Sequence, residues 1–411
     1  MKKLELLLPA GNIEKLEYAI AYGADAVYFG LSDFSLRSMK QGEIIDLNNL
    51  KTAVDTAKLL GAKAYITLNI FAFNHDIESL ISKIDVLKDA NPDAIIFSDF
   101  GIYNVLKKYL PDMPLHVSTQ TNTLNYEAVK FWQDMGIQRV VLARELSIKE
   151  ISDIKKHVPQ MELECFVHGS QCVSFSGRCL LSDYMTKSAR KANHGNCTQP
   201  CRWDYKLLEE KRPNEYLDIT EYDRGTFILS PKDLCLIEYI PQLIEAGVDS
   251  FKVEGRTKSV YYVSVVAKAY KTAIESYLSG KSINSHELFE ELCKVGNRGY
   301  TQGFYINSEN KDGYSYETSK GIAGATFLAV VDAEDKGYLK IKIKNKIQLN
   351  DDVEIISPKG NIIVKIVEIK DIYGNFLEVA NTNEEVYIKA DKNIDSWKKS
   401  LIRFPGVRYA L

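Results

Sequence analysis

The residues best suited to chemistry are the cysteines. The chain has 411 residues and seven cysteines, of which Cys165, Cys172, Cys179, Cys197 and Cys201 crowd into one stretch. Cys172 and Cys179 are seven positions apart, and Cys197 and Cys201 are four apart. These separations do not match a zinc finger or a zinc knuckle. Four thiolates drawn from loops suit a [4Fe-4S] cluster, because soft sulfur donors match that chemistry. Structural zinc and a set of inert buried thiols are the competing readings. Cys235, which follows Ser230-Pro231-Lys232-Asp233-Leu234, is a fifth candidate ligand. Cys165 sits in the apolar run Leu163–Val167 and reads as core, while Cys293 has no partner at metal-ligand spacing. An odd cysteine total, a long chain and the absence of a secretory h-region argue against a disulfide scaffold. A cytoplasmic protein is expected.

A second group of candidates is charged. Lys252, Glu254 and Arg256 alternate, so they share one face if the strand extends that far. Burying them unpaired would be expensive, so they must pair with one another or hold a charged ligand. Arg37 and Arg144 each follow a strand candidate, and guanidinium forks suit carboxylates and phosphates. Gln120 lies in Ser118-Thr119-Gln120-Thr121-Asn122, a source of uncharged donors. His168 ends a strand beside the first cysteine loop. Imidazole titrates near neutrality and could move protons there; a hydrogen-bonded structural histidine is the alternative. Glu5 reads as a partner for a buried cation. Arg202 and Trp203 place a cation beside a ring that could stack on an unpaired base or cover a cluster.

Positioning these groups requires a regular scaffold. Short apolar strand candidates recur at Leu4–Leu8, Ala26–Phe29, Lys63–Leu68, Ala94–Phe97, Leu115–Ser118, Arg139–Leu142, Glu162–Val167 and Ser250–Val253. Helical segments lie between them, such as Ile13–Tyr22, Leu47–Leu60, Asp76–Leu87 and Asn125–Met135, and a long helix follows at Val260–Ser279. Eight apolar strands alternating with helices predict a TIM-like (β/α)8 barrel. An open doubly wound sheet is the competitor, and no glycine-rich dinucleotide turn supports it. The repeat is interrupted by a cysteine-rich insertion at about 168–235, which includes a strand candidate at Phe227–Ser230. Insertions after barrel strands fall on the catalytic face.

The tail changes character. Residues 1–321 read as the barrel domain and 322–411 as a small C-terminal β-barrel. Strand candidates there are Tyr338–Lys344, Asp352–Ile356, Ile362–Ile369 and Glu385–Lys389. Lys340, Lys342 and Lys344 share one strand face, either solvated or touching an RNA backbone. The net charge of -3 argues against a blanket nucleic-acid coat and permits a focused contact. No apolar run is long enough to span a bilayer, so no membrane partner is expected.

Several of these stretches together resemble one family. They are Phe166-Val167-His168-Gly169-Ser170-Gln171-Cys172, Ser176-Gly177-Arg178-Cys179, Gly195-Asn196-Cys197-Thr198-Gln199-Pro200-Cys201, Leu229-Ser230-Pro231-Lys232-Asp233-Leu234-Cys235 and Phe251-Lys252-Val253-Glu254-Gly255-Arg256. In this combination, with Leu8-Pro9-Ala10-Gly11 and Phe34-Ser35-Leu36-Arg37, the chain resembles the collagenase-like peptidase family over essentially its whole length. The family includes a prephenate-dependent hydroxylase of the tRNA wobble uridine and relatives acting on ribosomal RNA and ubiquinone, with iron–sulfur clusters among them. Length and the added β-barrel favour the tRNA branch. The resemblance implies Cys172, Cys179 and Cys197 as cluster ligands, with Cys235 as the fourth and Cys201 the second choice. It points to Lys252 and Glu254 as catalytic groups, and His168 joins them by its place beside the first cysteine loop. Arg37, Gln120, Arg144 and Arg256 would bind prephenate or phosphate. The implied partners are prephenate, the tRNA anticodon region and a homologous protein subunit. The alternatives are a peptidase with collagenase-like activity and a non-catalytic subunit of a modification complex. The sequence holds no His-Glu-x-x-His motif and no Gly-x-Ser-x-Gly elbow.

Overall fold

The computed structural model describes residues 4–31, 34–35, 44–172, 174, 179, 181–186, 197–203, 207–208, 216–217, 231–306, 313, 321–392, 394 and 397–408. Seven strands come first in chain order. They are β1 (Glu5–Pro9), β2 (Ala26–Gly30), β3 (Lys63–Leu68), β4 (Ala94–Phe97), β5 (Leu115–Val117), β6 (Arg139–Val141) and β7 (Glu162–Ser170). Two more follow, β8 (Asp233–Cys235) and β9 (Ser250–Val253). Strands β1 to β7 lie side by side in parallel, and β9 pairs with both β7 and β1, which closes an eight-stranded parallel barrel. All eight strand candidates correspond to these barrel strands.

Helices cover the barrel because each carries one apolar stripe. The first two are α1 (Ile13–Ala21) and α2 (Leu50–Leu59). The side chain of Asn12 caps α1 by accepting from the Lys15 N–H, and Leu16 and Ala19 bury its inner face. A single helix at Asp76–Leu87 is replaced by two, α3 (Asn74–Ser82) and α4 (Ile84–Ala90). They part at Lys83, whose φ of -108° and ψ of 3° leave the helical region. Leu80, Ile84 and Leu87 are all buried across the break, so the apolar spacing persists and periodicity alone could not show it. Next come α5 (Phe100–Tyr109), α6 (Tyr126–Asp134) and α7 (Ile148–His157), the last opened by a reciprocal capping box between Ser147 and Glu150. The barrel ends with α8 (Ile240–Glu245), α9 (Val260–Leu278) and α10 (Ser285–Cys293).

The insertion contributes an unexpected strand. β8 runs antiparallel to β7, with Cys235 opposite His168 and Leu234 opposite Gly169. On its far side it pairs with β10 (Tyr300–Thr301). The strand candidate at Phe227–Ser230 lies outside the described residues.

The tail forms a second barrel. It comprises β11 (Thr326–Asp335), β12 (Tyr338–Ile343), β13 (Asp352–Ser357), β14 (Gly360–Lys370), β15 (Glu385–Ala390) and β16 (Leu401–Phe404). They close antiparallel in the order β11-β12-β15-β14-β13-β16. Leu339, Ile341 and Ile343 point inward along β12, and Lys340 and Lys342 point outward. Lys340 pairs with Glu385 at 3.0 Å, which accounts for one member of the lysine stripe. The two barrels are locked together. The hydroxyl of Tyr22, the C-cap of α1, lies 2.9 Å from the carbonyl oxygens of both Ile356 and Lys399. Arg403 on β16 is fully buried and ion-paired with Glu354 of its own barrel and Glu291 of α10. Among the described residues, no helix is long and apolar enough to cross a membrane.

Candidate active site

The inside of the large barrel is charged at one end and hollow at the other. Leu7, Ala26, Tyr28, Tyr65, Ala94 and Ile96 form its apolar lining. Near the N-terminal ends of the strands, Arg139 donates to Glu5, to Glu164 at 3.2 Å and to Glu162 at 2.7 Å. Glu5 also accepts from the Tyr65 hydroxyl at 2.6 Å and the Ser250 hydroxyl at 2.9 Å. Lys252 donates to the other oxygen of Glu164 at 2.7 Å. Within this plug, Glu5 and Glu164 face Arg139 and Lys252. Such a set is tolerable inside a protein because each ion has an opposite neighbour and a hydrogen bond. Burial raises the Glu5 pKa, but the Arg139 charge and hydrogen bond outweigh it and hold the carboxyl below its usual range. His116 on β5 sits edge-on to Tyr65 at 5.0 Å between ring centroids. Burial, with Arg139 and Lys252 nearby, keeps it neutral.

Above this plug lies a cavity with about 70 Å³ of solvent-holding volume. Its lining comes from the C-terminal ends of the strands, where barrel enzymes place their sites. Lys252 forms part of its floor, with the ammonium 4.6 Å from the Tyr28 ring centroid and 5.4 Å from that of Phe166. Desolvation lowers the Lys252 pKa, against the opposing pull of Glu164. Glu254 is buried with one carboxylate oxygen 3.4 Å from the Tyr28 hydroxyl, which itself donates to the Val253 carbonyl at 2.8 Å. Arg256 donates to the Ser35 hydroxyl and, at 3.3 Å, to that of Thr67. Arg144 stacks on the Phe166 ring at 4.0 Å and donates to the Ser170 carbonyl at 3.0 Å. That bond ties the cavity wall to the start of the cysteine-rich insertion. Ser118, Thr119 and Gln120 complete the rim. Two guanidinium groups, one ammonium, one carboxylate and uncharged donors around a small hollow can bind a compact organic anion and exchange protons with it.

The structure therefore gathers Lys252, Glu254, Arg256, Arg144 and Gln120 at one cavity. Arg37 lies outside the described residues. His168 is not part of the cavity lining. It lies within β7 rather than at its end, caged by Tyr262, Tyr270 and Tyr300 with ring centroids 5.3 to 5.8 Å away. Burial pushes its pKa down to about 3, so the ring is neutral at physiological pH. Its Nε2 has no hydrogen-bond partner among the described residues. Glu5 does meet a buried cation, as its position near the first strand suggested. Sequence reasoning passed over Glu164, Arg139, Tyr28 and Thr67. Glu162-Leu163-Glu164-Cys165-Phe166 carries the same signal that exposed Lys252, a charge at alternate positions of an apolar strand.

The cysteines divide by environment. Cys165 is buried in the core, as its apolar surroundings predict. Cys172 and Cys197 are exposed, and Cys179 and Cys201 are half-buried. The Sγ of Cys179 accepts the Leu181 N–H at 3.3 Å, and the Sγ of Cys197 accepts the Gln199 N–H at 3.3 Å. Such N–H donors to sulfur are a recurrent support of iron–sulfur ligands. Cys235 on β8 is buried, its thiol pKa pushed up to about 12 by desolvation, with the Tyr270 hydroxyl 3.8 Å away. Among the described residues, no three metal-ligating side chains stand close enough to hold an ion. The donor chemistry suits a soft metal, whereas the four sulfurs are not drawn together.

Fold and cavity define a (β/α)8-barrel protein with a cavity lined by two arginines, a lysine and a glutamate at the C-terminal ends of its strands. Comparison with known proteins makes this particular. Residues 11–314 match the model for peptidase family U32 and residues 324–403 that for the peptidase family U32 C-terminal domain, so the chain belongs to peptidase family U32. It is 40% identical to tRNA hydroxylation protein P1 of Bacillus subtilis, over 96% of this chain and 93% of that protein. It is 37% identical to tRNA hydroxylation protein P of Escherichia coli, over 92% of each chain. A protein named collagenase from Porphyromonas gingivalis is 31% identical over 89% of each.

Proposed function

We propose that this chain is a tRNA-modifying hydroxylase that forms 5-hydroxyuridine at the wobble uridine, with prephenate as co-substrate and an iron–sulfur cluster as cofactor. The observation that carries the reading is the cavity of Lys252, Arg256 and Arg144 in a chain whose relatives are named tRNA hydroxylation proteins. Prephenate is a compact dicarboxylate, and two guanidinium groups at a buried rim are the expected receptors for it. Arg256 and Arg144 would hold the carboxylates, Ser118 and Gln120 would orient the neutral oxygens, and Glu254 would accept or return a proton. The target base must leave its stack to reach the barrel mouth, as base-modifying enzymes require. Cys172, Cys179, Cys197 and Cys235 would hold the cluster only once drawn together, and the cluster would then supply electron transfer.

Two measurements test this reading. Deleting the gene in its host, with no redundant paralogue, is expected to remove 5-hydroxyuridine-derived nucleosides from tRNA hydrolysates, as read by mass spectrometry. Unchanged nucleosides would sink the assignment. After anaerobic purification, iron and sulfide are expected to fall away in the single Cys→Ser variants at 172, 179, 197 and 235 and to persist in Cys201→Ser. Loss in Cys201→Ser with retention in Cys235→Ser would reverse the fourth ligand.

A steric prediction follows from Gly30. A Cβ there would stand 2.2 Å from the Ser35 hydroxyl oxygen and 2.7 Å from Nη1 of Arg256. Gly30→Ala is expected to push the guanidinium aside and lower kcat/KM for prephenate about 100-fold, the usual size of a 1 Å misplacement. Steady-state hydroxylation assays, with the fold checked by circular dichroism, would show it.

A further inference from the structure

Lys252 is the one amine among the described residues lining the cavity, and its place is unusual for a lysine. It is 4% exposed, rises from β9 in the middle of the barrel and is flanked by the faces of Tyr28 and Phe166. A lysine needed only to balance Glu164 could sit at the N-terminal end with Arg139. Instead Lys252 lines a hollow that Arg144 and Arg256 also line. Amine and guanidinium groups around one small space match two functions of one molecule, a carbonyl for the amine and carboxylates for the guanidinium groups.

We propose that Lys252 binds a 2-oxo acid covalently, as an iminium between Nζ and the 2-oxo carbon. This rests on the reading of the cavity as a co-substrate site and names the bond by which that co-substrate is held. Glu164, 2.7 Å from Nζ, first accepts a proton from the ammonium. The free amine adds to the carbonyl carbon, and a nitrogen-bound proton passes to the carbonyl oxygen to give a neutral carbinolamine. Glu164 then returns its proton to the hydroxyl, which leaves as water while the nitrogen lone pair completes the C=N bond. Ammonium plus ketone has become iminium plus water, with no oxidant or reductant required. The iminium keeps one positive charge on nitrogen, so the balance of Glu5 and Glu164 against Arg139 and the Lys252 nitrogen survives the reaction. That neutrality removes the electrostatic penalty a neutral adduct would carry in this buried network. Desolvation also lowers the Lys252 pKa, which eases the first proton transfer.

The test uses the purified full-length chain, pyruvate as the simplest 2-oxo acid, and sodium borohydride to reduce the adduct to a stable secondary amine. Intact-mass spectrometry is expected to show a single addition equal to pyruvate less one oxygen atom. Peptide mapping should place it on Lys252. Lactate, which has no carbonyl, should leave the mass unchanged. Lys252→Arg keeps a cation beside Glu164 but cannot form the iminium, so the adduct should vanish while the melting transition stays cooperative. No adduct in the wild-type chain, or one spread over surface lysines, overturns the proposal. Because mapping on the wild-type chain decides the site, a poorly folded variant does not obscure the answer. The two readings also fail separately. Wobble hydroxylation without a trapped adduct refutes the iminium and leaves the hydroxylase; a trapped adduct on Lys252 in a chain that modifies no tRNA does the reverse.

Discussion

Arg139→Met is expected to destabilise the barrel by about 3–5 kcal/mol, the usual cost of removing one partner from a buried ion set. Arg139 is 3% exposed and is hydrogen-bonded to three carboxylates, of Glu5, Glu164 and Glu162. Without it, Glu5 loses its principal buried cation and Glu164 keeps only Lys252. Chemical denaturation at neutral pH would read the loss. Glu162→Gln is the comparison, because that side chain is 51% exposed and its pairing is worth about 0–1 kcal/mol. The pH dependence has a definite sign. The folded-state pKa of Glu5 is lowered, so its contribution is fully present above the ordinary carboxylate range. It is lost as the pH falls through the lower folded value. In Arg139→Met that pull is gone, burial is opposed only by the smaller effects of the Tyr65 and Ser250 hydrogen bonds, and the carboxyl folds more easily when protonated. The stability gap between wild type and variant should therefore narrow as the pH drops. A constant gap would show that Arg139 acts by packing rather than charge.

Arg256→Met is expected to lower activity by removing a direct contact to the co-substrate. On the proposed function, its guanidinium holds a carboxylate of the co-substrate, a charged hydrogen bond worth about 1.5–3 kcal/mol, or roughly 10- to 150-fold in kcat/KM. The apolar variant also leaves the Ser35 and Thr67 hydroxyls without the donor they share. Arg256→Lys should recover only part of the loss, since an ammonium cannot reproduce the planar fork. Kinetics with prephenate varied at saturating tRNA would show the defect mainly in KM if the contact is equal in ground and transition states. An unchanged kcat/KM in Arg256→Met would remove this residue from the site.

The barrel was readable because its strands are short, apolar and bounded by helix-ending glycines. Gly23, after α1, and Gly247, after α8, adopt positive φ, and each of the eight strand candidates matches a barrel strand closely. The tail was readable where alternation was strict, as in Leu339, Ile341 and Ile343. Thr326–Asp335 and Leu401–Phe404 were missed; in the latter, Leu401 and Ile402 are buried consecutively, which masks a period of two. Strand β8 escaped notice because three residues carry no period, and only the exposed edge of β7 gives Asp233–Cys235 something to pair with.

Sequence alone determined which side chains could do chemistry: Lys252, Glu254 and Arg256 by alternation, Arg144 and Gln120 by following strands, and the cysteines by clustering. Alternation is local, set by the pleat of one strand, so one chain segment suffices to reveal it. Whether those side chains converge depends on barrel closure, which brings β9 beside both β1 and β7 across more than 240 residues of chain between Glu5 and Ser250. Closure joined Glu5, Arg139, Glu164 and Lys252 into one neutral network. It also enclosed His168 among three tyrosines, away from the cavity. Desolvation then did what no spacing encodes, lowering the pKa values of Lys252 and His168 and raising that of Cys235, because the cost of charge depends on everything packed around it.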